Sequence, residues 1–306
     1  KMKDEIIILI ILFVFVGFSW DSLKQEAKIN NGGNIPANSS IETKTATKEE
    51  IVRDIKEVER KAQELEKKIK EEAEAKKRSP YYGKVSLSYI SYLNDPDPSR
   101  EYITLYTNLE EGEKVDITGW FLKSDRSGNS ATIGRVSIPP YPYTTNDSDV
   151  VLQQNHRVYL IKGFSPINIS FRTNKCVGYF EQNRTFYPSL SLQCPLPRDE
   201  ELPQFSNLLD REDECRELIE RIPRCTAPKF RWKDLPDTIT SSCKTYVDTQ
   251  INYNVCVANH LSDTDFPGNE WFVYLNRFGP LWRDKRETIK LYDRAGLVVS
   301  ELKYGF

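Results

Sequence analysis

The sequence predicts a mostly β protein built around a β-sandwich, with one charged helix before it and a partly helical, cysteine-rich region inside it. From residue 82 onward, short runs alternate apolar and polar residues with a period of two, and turn residues separate them. The same alternation returns in residues 269–306. Between these segments lie all six cysteines and two stretches of helical periodicity. Several short alternating strands separated by turns are typical of a sandwich.

The first 20 residues have the character of an export signal. Lys1 and Lys3 precede an unbroken apolar run at residues 6–18, as in a signal peptide. The run is short for a membrane span, which needs about 20 residues, but Ser19 and Trp20 bring it close. We therefore expect residues 1–20 to be a signal peptide or a membrane anchor, with membrane contact through residues 6–20. The protein is then extracytoplasmic, and either membrane-anchored or secreted.

A linker and a charged helix follow. Residues 21–46 are polar and without periodicity, which indicates a flexible linker. Thr47 begins a capping box and Pro80 ends the helical pattern, so residues 47–79 predict an amphipathic helix. Its apolar residues alternate at spacings of four and three, as in a heptad seam: Ile51, Ile55, Val58, Ala62, Leu65 and Ile69. Two interpretations stay open: a short coiled coil that makes a homo-oligomer through residues 47–78, and a solvated stalk.

The strands come in two groups. Residues 82–165 contain the alternating runs KVSLSYISYL, EYITLYTNL, KVDITGWFLKS, ATIGRVSIP and DVVLQQNHRVYLIKG, and the C-terminal group contains EWFVYLNRF and ETIKLYDRAGLVVSELKY. Asp293 to Gly296 lie between two apolar runs, which predicts a hairpin with the glycine at a positive φ. Trp120 and Trp271 are expected in the core.

The cysteines lie in the middle segment, residues 166–268. An even number of cysteines in an exported chain predicts disulfides. The chain has no C-x-x-C pair and only two histidines, which argues against a zinc knuckle and a thiol nucleophile. The predicted disulfide residues are Cys176, Cys194, Cys215, Cys225, Cys243 and Cys256. We expect Cys176 and Cys194 to close a loop on the rim of the sandwich. Antiparallel helices near residues 208–222 and 242–251 favour the pairs Cys225–Cys243 and Cys215–Cys256.

One stretch resembles the opening of a lamin-tail domain: EYITLYTNLEEGEKVDITGWFLKS. The matching residues are Glu101, Tyr102, Ile103 and Leu105, then Val115, Asp116, Ile117, Gly119, Trp120 and Leu122. The closing strand pair of that family is similar to Glu287, Ile289, Leu291, Asp293, Gly296, Val299 and Tyr304. The resemblance implies a bacterial-envelope protein with a discontinuous Ig-like β-sandwich of residues 82–165 and 269–306, and with residues 166–268 as an insertion.

The search for chemistry identifies a surface and no catalytic site. The chain lacks the common hydrolase, zinc-protease and nucleotide-binding motifs, so we assign no catalytic, cofactor-binding or metal-binding residue. The paired aspartates 95/97 and 263/265 lack the ligand spacing of an EF-hand. A net charge of -2 makes nucleic acid an unlikely partner. The candidate binding surface is Arg172, Lys175, Tyr179, Phe180, Phe186 and Tyr187, although half of these aromatics could instead pack the loop onto the sandwich.

We therefore expect a non-enzymatic extracytoplasmic structural or binding protein that presents a lamin-tail-like domain at the cell surface. Its partner would be a surface polymer or protein, for adhesion, scaffolding or binding. One alternative is an envelope-associated hydrolase with its site in the insertion, and another is an oligomeric coat or pilus-like subunit.

Overall fold

The computed structural model describes residues 48–142, 147–231, 233 and 235–306. The predicted signal or anchor, the linker and the capping residue Thr47 lie outside these ranges. The chain divides into two compact units, residues 1–65 and 66–306. Helix α1, Lys48–Ala75, agrees with the predicted helix of residues 47–79. Within the described ranges, no helix is both long enough and apolar enough to cross a membrane.

Eleven strands and four α-helices form the described part of the chain. The strands are β1 Val85–Ser91, β2 Tyr102–Thr107, β3 Val115–Asp116, β4 Phe121–Ser124, β5 Ser130–Thr132, β6 Val151–Leu152, β7 Arg157–Ile161, β8 Phe171–Asn174, β9 Pro267–Tyr274, β10 Glu287–Tyr292 and β11 Val298–Tyr304. Besides α1, the helices are α2 Leu209–Glu220, α3 Ser241–Gln250 and α4 Tyr253–His260. The predicted hairpin is confirmed, because Gly296 joins β10 to β11 with a φ of 77°.

The strands pair into three sheets. One has five strands in the order β1-β2-β7-β9-β8, one has four in the order β11-β10-β4-β5, and β3 pairs with β6. Neighbours are antiparallel except β7 and β9, which run parallel with Val158 opposite Trp271. The strand-rich segments at the two ends of the domain therefore meet inside one sheet.

The main core draws on both segments. Trp120 and Trp271 are almost fully buried, as expected from the sequence. They belong to one cluster with residues of both larger sheets: Val85, Ile103, Leu105, Leu122, Val158, Leu160, Val273, Ile289, Leu291 and Val299. Burying this apolar surface is the main stabilising contribution to the domain. The chain is thus a mixed sheet-and-helix protein whose sheets are consistent with a β-sandwich.

The other face of the five-stranded sheet carries a second core. Successive side chains of a strand point to opposite faces, and along β9 Trp271 and Val273 belong to the main core whereas Phe272 and Tyr274 belong to the second. The cysteine-rich region covers this second face with Val177, Phe180, Phe186, Leu190, Tyr253 and Val257. The region also contributes β8 at the sheet edge. Neither β8 nor α4 was predicted from the sequence.

The six cysteines form three disulfides, as expected, but the predicted pairing is wrong. The bonds are Cys176–Cys256, Cys194–Cys225 and Cys215–Cys243. The unpredicted helix α4 carries Cys256 to the second core, where it bonds to Cys176. Cys215 and Cys243 join α2 directly to α3 in a third, smaller core with Ile219 and Val247. Cys176 and Cys194 are close, with the Cys194 Sγ 3.7 Å from the Cys176 carbonyl oxygen, but each bonds elsewhere.

Candidate binding surface

Half of the residues in the binding surface predicted from the sequence are buried. Tyr179, Phe180 and Phe186 are buried in the second core. The reason is that the sheet face beneath them carries large apolar side chains, such as Phe272, which need an aromatic cover to exclude water. The loop that contains these rings therefore packs inward, and the packing alternative considered from the sequence is the correct one for them.

The two predicted basic residues are engaged within the protein. Arg172 donates from Nε to the carbonyl of Gly268 at 2.8 Å, and its guanidinium lies 5.1 Å from the ring centroid of Trp271. Lys175 bonds to Asp263 at 2.9 Å and to Asp265 at 2.6 Å. The paired aspartates 263/265 thus share one lysine, which offsets part of their negative charge. Of the four predicted aromatic residues, Tyr187 alone remains partly exposed.

Tyr187 belongs to a different surface, which we call the aromatic rim: Tyr92, Arg100, Phe164, Tyr187 and Phe278. The Arg100 guanidinium lies 4.8 Å from the ring centroid of Tyr92 and 5.0 Å from that of Tyr187. The two rings meet edge to face at 6.0 Å. Such cation–π contacts hold flat side chains in fixed orientations. The carboxylate of Asp95 pairs with the same guanidinium at 3.1 Å, so the positive charge of Arg100 is balanced.

The two phenylalanines continue the rim beside this trio. Their ring centroids are 4.4 Å apart, and Phe278 is 79% exposed. The loop before Arg100 joins the two parts, because the hydroxyl of Ser99 donates to the carbonyl of Phe164 at 3.2 Å. The amide of Gly163 donates to the carbonyl of Pro98 at 2.9 Å. The rim is therefore built from three loops, which follow β1, β7 and β9, together with Tyr187 of the cysteine-rich region.

The backbone at Tyr92 is strained. Its φ is 52°, in the left-handed region that bulky side chains rarely adopt, and Asn94 follows with a φ of 60°. Strain of this kind persists only where the surroundings impose it, and it is concentrated at functional sites. Here it accompanies a tyrosine that is 48% exposed, although a ring of that size would gain from burial.

A buried ion pair supports the rim from below. Glu101 is 1% exposed and its carboxylate accepts from the Nζ of Lys162 at 2.7 Å and from the Nε1 of Trp282 at 2.7 Å. The same carboxylate accepts from the amide of Asn94 at 3.1 Å, which fixes the turn that carries Tyr92. Charge-assisted hydrogen bonds in a dry site are strong and directional. The network therefore ties the loop after β1 to the loop after β9.

A second group of polar side chains surrounds His260, the last residue of α4. Its Nδ1 lies 2.8 Å from the carboxylate of Asp263, and its Nε2 lies 2.7 Å from that of Glu200. The two carboxylates approach different ring nitrogens and do not converge on one point. In the described part of the chain, no group of three or more His, Cys, Asp or Glu residues could hold a metal ion.

A small cavity adjoins Glu200. It is lined by Tyr179, Pro197, Tyr246 and Asn259, among others. Its volume of about 20 Å³ is close to the space that one water molecule requires. The cavity therefore admits no substrate of ordinary size in this conformation.

Comparison with known proteins gives no relative: no family model, curated protein or solved structure matches the chain. The lamin-tail resemblance therefore remains an expectation that rests on its sequence motifs.

The sequence interpretation missed four members of the rim: Tyr92, Arg100, Phe164 and Phe278. A partial signal existed, because the turn-rich stretch NDPDPSR begins two residues after Tyr92 and ends with Arg100. Loops that join strands are frequent binding sites, so an aromatic residue beside such a turn is a reasonable candidate. Which other loops meet it depends on the order of strands in the sheet, and this order has no local signal.

Proposed function

We propose that this chain is a non-enzymatic, extracytoplasmic binding protein, and that its aromatic rim binds an uncharged glycan polymer at the cell surface. The observation that carries the proposal is the cluster of exposed Tyr92 with partly exposed Arg100 and Tyr187, together with the exposed Phe278. The three internal disulfides indicate an oxidising, extracytoplasmic environment. In this proposal the sandwich is a lamin-tail-like, Ig-like domain.

The shape and chemistry of the rim favour a polymer of neutral sugars. Flat aromatic rings fit the apolar C–H faces of sugar rings, and a few placed donors and acceptors orient such a ligand. Arg100 supplies donors and Asp95 supplies an acceptor. Because these two charges balance each other and the net charge of the chain is -2, nothing in the rim attracts a polyanion.

The lamin-tail part of the proposal is supported by where its motif residues lie. Ile103 and Leu105 of the opening motif, and Ile289 and Leu291 of the closing motif, belong to the same core as Trp120. Residues of the two motifs, which are far apart in sequence, thus pack in one core, as a single domain of that family would require.

The proposal is tested with the intact chain in affinity electrophoresis through gels that contain one soluble polysaccharide each. We expect retardation by at least one neutral polysaccharide, such as a β-glucan, mannan or xylan, and a loss of that retardation in the double variant Tyr92→Ala/Phe278→Ala. Tyr89→Ala is the matched control, because Tyr89 is also an exposed aromatic residue, with an exposure between those of Tyr92 and Phe278, but lies outside the rim.

Two results would count against this function. The first is retardation by polyanions alone, and the second is retardation that the rim variant leaves unchanged. Loss of folding is not expected to confuse the result, because exposed side chains contribute little to stability. Near-ultraviolet circular dichroism of the variant checks this point.

A further inference from the structure

The arrangement around His260 has a chemical requirement of its own. A carboxylate only accepts hydrogen bonds when it is ionised, and a neutral imidazole has a single N–H to donate. His260 has a carboxylate at hydrogen-bond distance from each ring nitrogen, 2.8 Å to Asp263 and 2.7 Å to Glu200. Both contacts are hydrogen bonds only if the ring carries both protons. The geometry is therefore that of an imidazolium ion.

The two contacts hold very different parts of the chain. Asp263 lies three residues after His260, in the turn that ends α4, and the Nζ of Lys175 also donates to it. Glu200 lies 60 residues earlier, directly after the short 3-10 helix Pro197–Asp199. The other carboxylate oxygen of Glu200 accepts from the side-chain amide of Asn259 at 2.9 Å. The contact with Glu200 thus fastens a separate segment, residues 197–200, to the end of α4.

We propose that His260 is a proton-operated clamp, which holds the segment 197–200 against α4 when the imidazole is protonated and releases it when the proton is lost. A neutral ring has one N–H, so it can donate to Asp263 or to Glu200 but not to both. The nitrogen without a proton then faces the other carboxylate with a lone pair. The bond to Glu200 is the one whose loss can move the chain, since Asp263 is held by Lys175 and by its own turn. Glu200 then keeps only its contact with the neutral Asn259 amide at the end of α4, and we expect that contact alone to be too weak to hold the segment. Release would open the cavity beneath Tyr179 and Tyr246.

The electrostatic surroundings agree in direction. Burial lowers the pKa of His260, but the hydrogen bonds with Glu200 and Asp263 raise it by more, so the pKa lies above its usual range. Hydrogen bonds from Lys175 and His260 hold the pKa of Asp263 below its usual range. Asp265 shares Lys175 with Asp263. Tyr179 lines the same small cavity as Glu200. Burial raises the pKa of Tyr179 to about 12 and the charge of Glu200 adds to the rise, so this phenol stays neutral.

The sign of the pH dependence follows from that direction. A histidine whose pKa is raised by folding stabilises the clamped form fully below its unfolded pKa of about 6.5. The stabilisation is lost as the pH rises through the folded pKa. The segment 197–200 is therefore closed in mildly acidic surroundings and free in alkaline ones.

The test uses the intact protein and its two histidines. Proton NMR from about pH 3 to pH 9 should show one imidazole that titrates above 6.5 and a second, His156, that titrates far lower because burial lowers its pKa to about 4. Hydrogen–deuterium exchange of residues 195–201, corrected for the intrinsic rate, should rise by about tenfold or more between pH 5.5 and 8.5 if release accompanies deprotonation.

Variants assign the effect to the clamp. Glu200→Gln should lower the pKa of His260 and abolish the pH dependence of exchange, because the amide has no charge to favour the imidazolium. Glu201→Gln removes the neighbouring exposed carboxylate and should change neither quantity. A His260 pKa at or below 6.5 in the unmodified protein would overturn the proposal, and so would exchange of residues 195–201 that is equal at the two pH values. The NMR titration and the exchange measurement on the unmodified protein need no variant, so together they decide the matter even if Glu200→Gln fails to fold.

Discussion

Replacing Lys162 by methionine tests the buried network beneath the rim. The change keeps most of the side-chain volume but removes the ammonium group, and it leaves the carboxylate of Glu101 with only the neutral donors Trp282 Nε1 and the Asn94 amide. Both members of the ion pair are buried, at 6% and 1% exposure. Breaking a buried pair by removing one partner costs about 3–5 kcal/mol, because the other charge is left uncompensated.

The double variant Lys162→Met/Glu101→Gln provides the decisive comparison. With both charges removed, the loss should fall to about 1–2 kcal/mol, because a neutral pair has a much smaller desolvation cost and Gln still accepts from Trp282. The two single changes should therefore be strongly non-additive. Urea unfolding followed by tryptophan fluorescence, with the disulfides intact, measures the three free energies. A loss below about 1 kcal/mol for Lys162→Met would refute the reasoning, because that is the value of an exposed pair. Additivity of the two single changes would refute it as well.

Three further predictions concern other parts of the chain. The apolar seam of α1 is at least half exposed at each of four positions, Ile55, Val58, Leu65 and Ile69. Sedimentation should therefore show an oligomer for the chain that includes residues 47–78, but a monomer for the chain that starts at residue 80 and for Leu65→Asp. Monomers throughout would rule out the coiled coil. Burial lowers the pKa of His156 to about 4, so the free energy of unfolding should fall by on the order of 3 kcal/mol as the pH drops from about 6.5 to about 4. His156→Gln should reduce this pH dependence, and an unchanged pH dependence would show that His156 is not its cause. Replacing Cys215 and Cys243 by alanine should lower the free energy of unfolding by about 2–4 kcal/mol, because the bond between α2 and α3 is lost. Non-reducing peptide mapping should still find Cys176–Cys256 and Cys194–Cys225, and scrambled bonds would contradict the expectation that these two pairs form without the third.

Features with a local cause could be predicted from the sequence. The hairpin at Gly296 follows from the need for a residue that tolerates positive φ between two apolar runs. Helix α1 follows from its periodicity and from Pro80. The burial of Trp120 and the presence of disulfides follow from residue type and compartment. In each case the deciding interaction lies within a few residues of the signal, or depends on composition alone.

Features that depend on long-range packing could not be predicted. The pairing of Cys176 with Cys256 spans 80 residues and depends on α4, whose apolar periodicity is weak. The inward packing of Phe180 and Phe186 depends on the second face of the five-stranded sheet, which would be exposed without the cysteine-rich region. The aromatic rim depends on the parallel pairing of β7 with β9, which brings the loops of Phe164 and Phe278 together. Local patterns of charge, spacing and residue type do not predict these contacts between distant segments.

The parallel pairing of β7 and β9 is the most direct test of the account, because it joins the two strand-rich segments into one sheet and places the rim loops side by side. In an isotope-labelled sample of the intact chain, NMR should detect interstrand nuclear Overhauser effects between the backbones of residues 158–161 and 271–274, with Val158 opposite Trp271 and Leu160 opposite Val273. The amides of both strands should exchange only on global unfolding. If the only contacts of β7 are with β2, and residues 270–274 exchange as a separate unit, the two segments form separate cores and the shared sandwich is wrong.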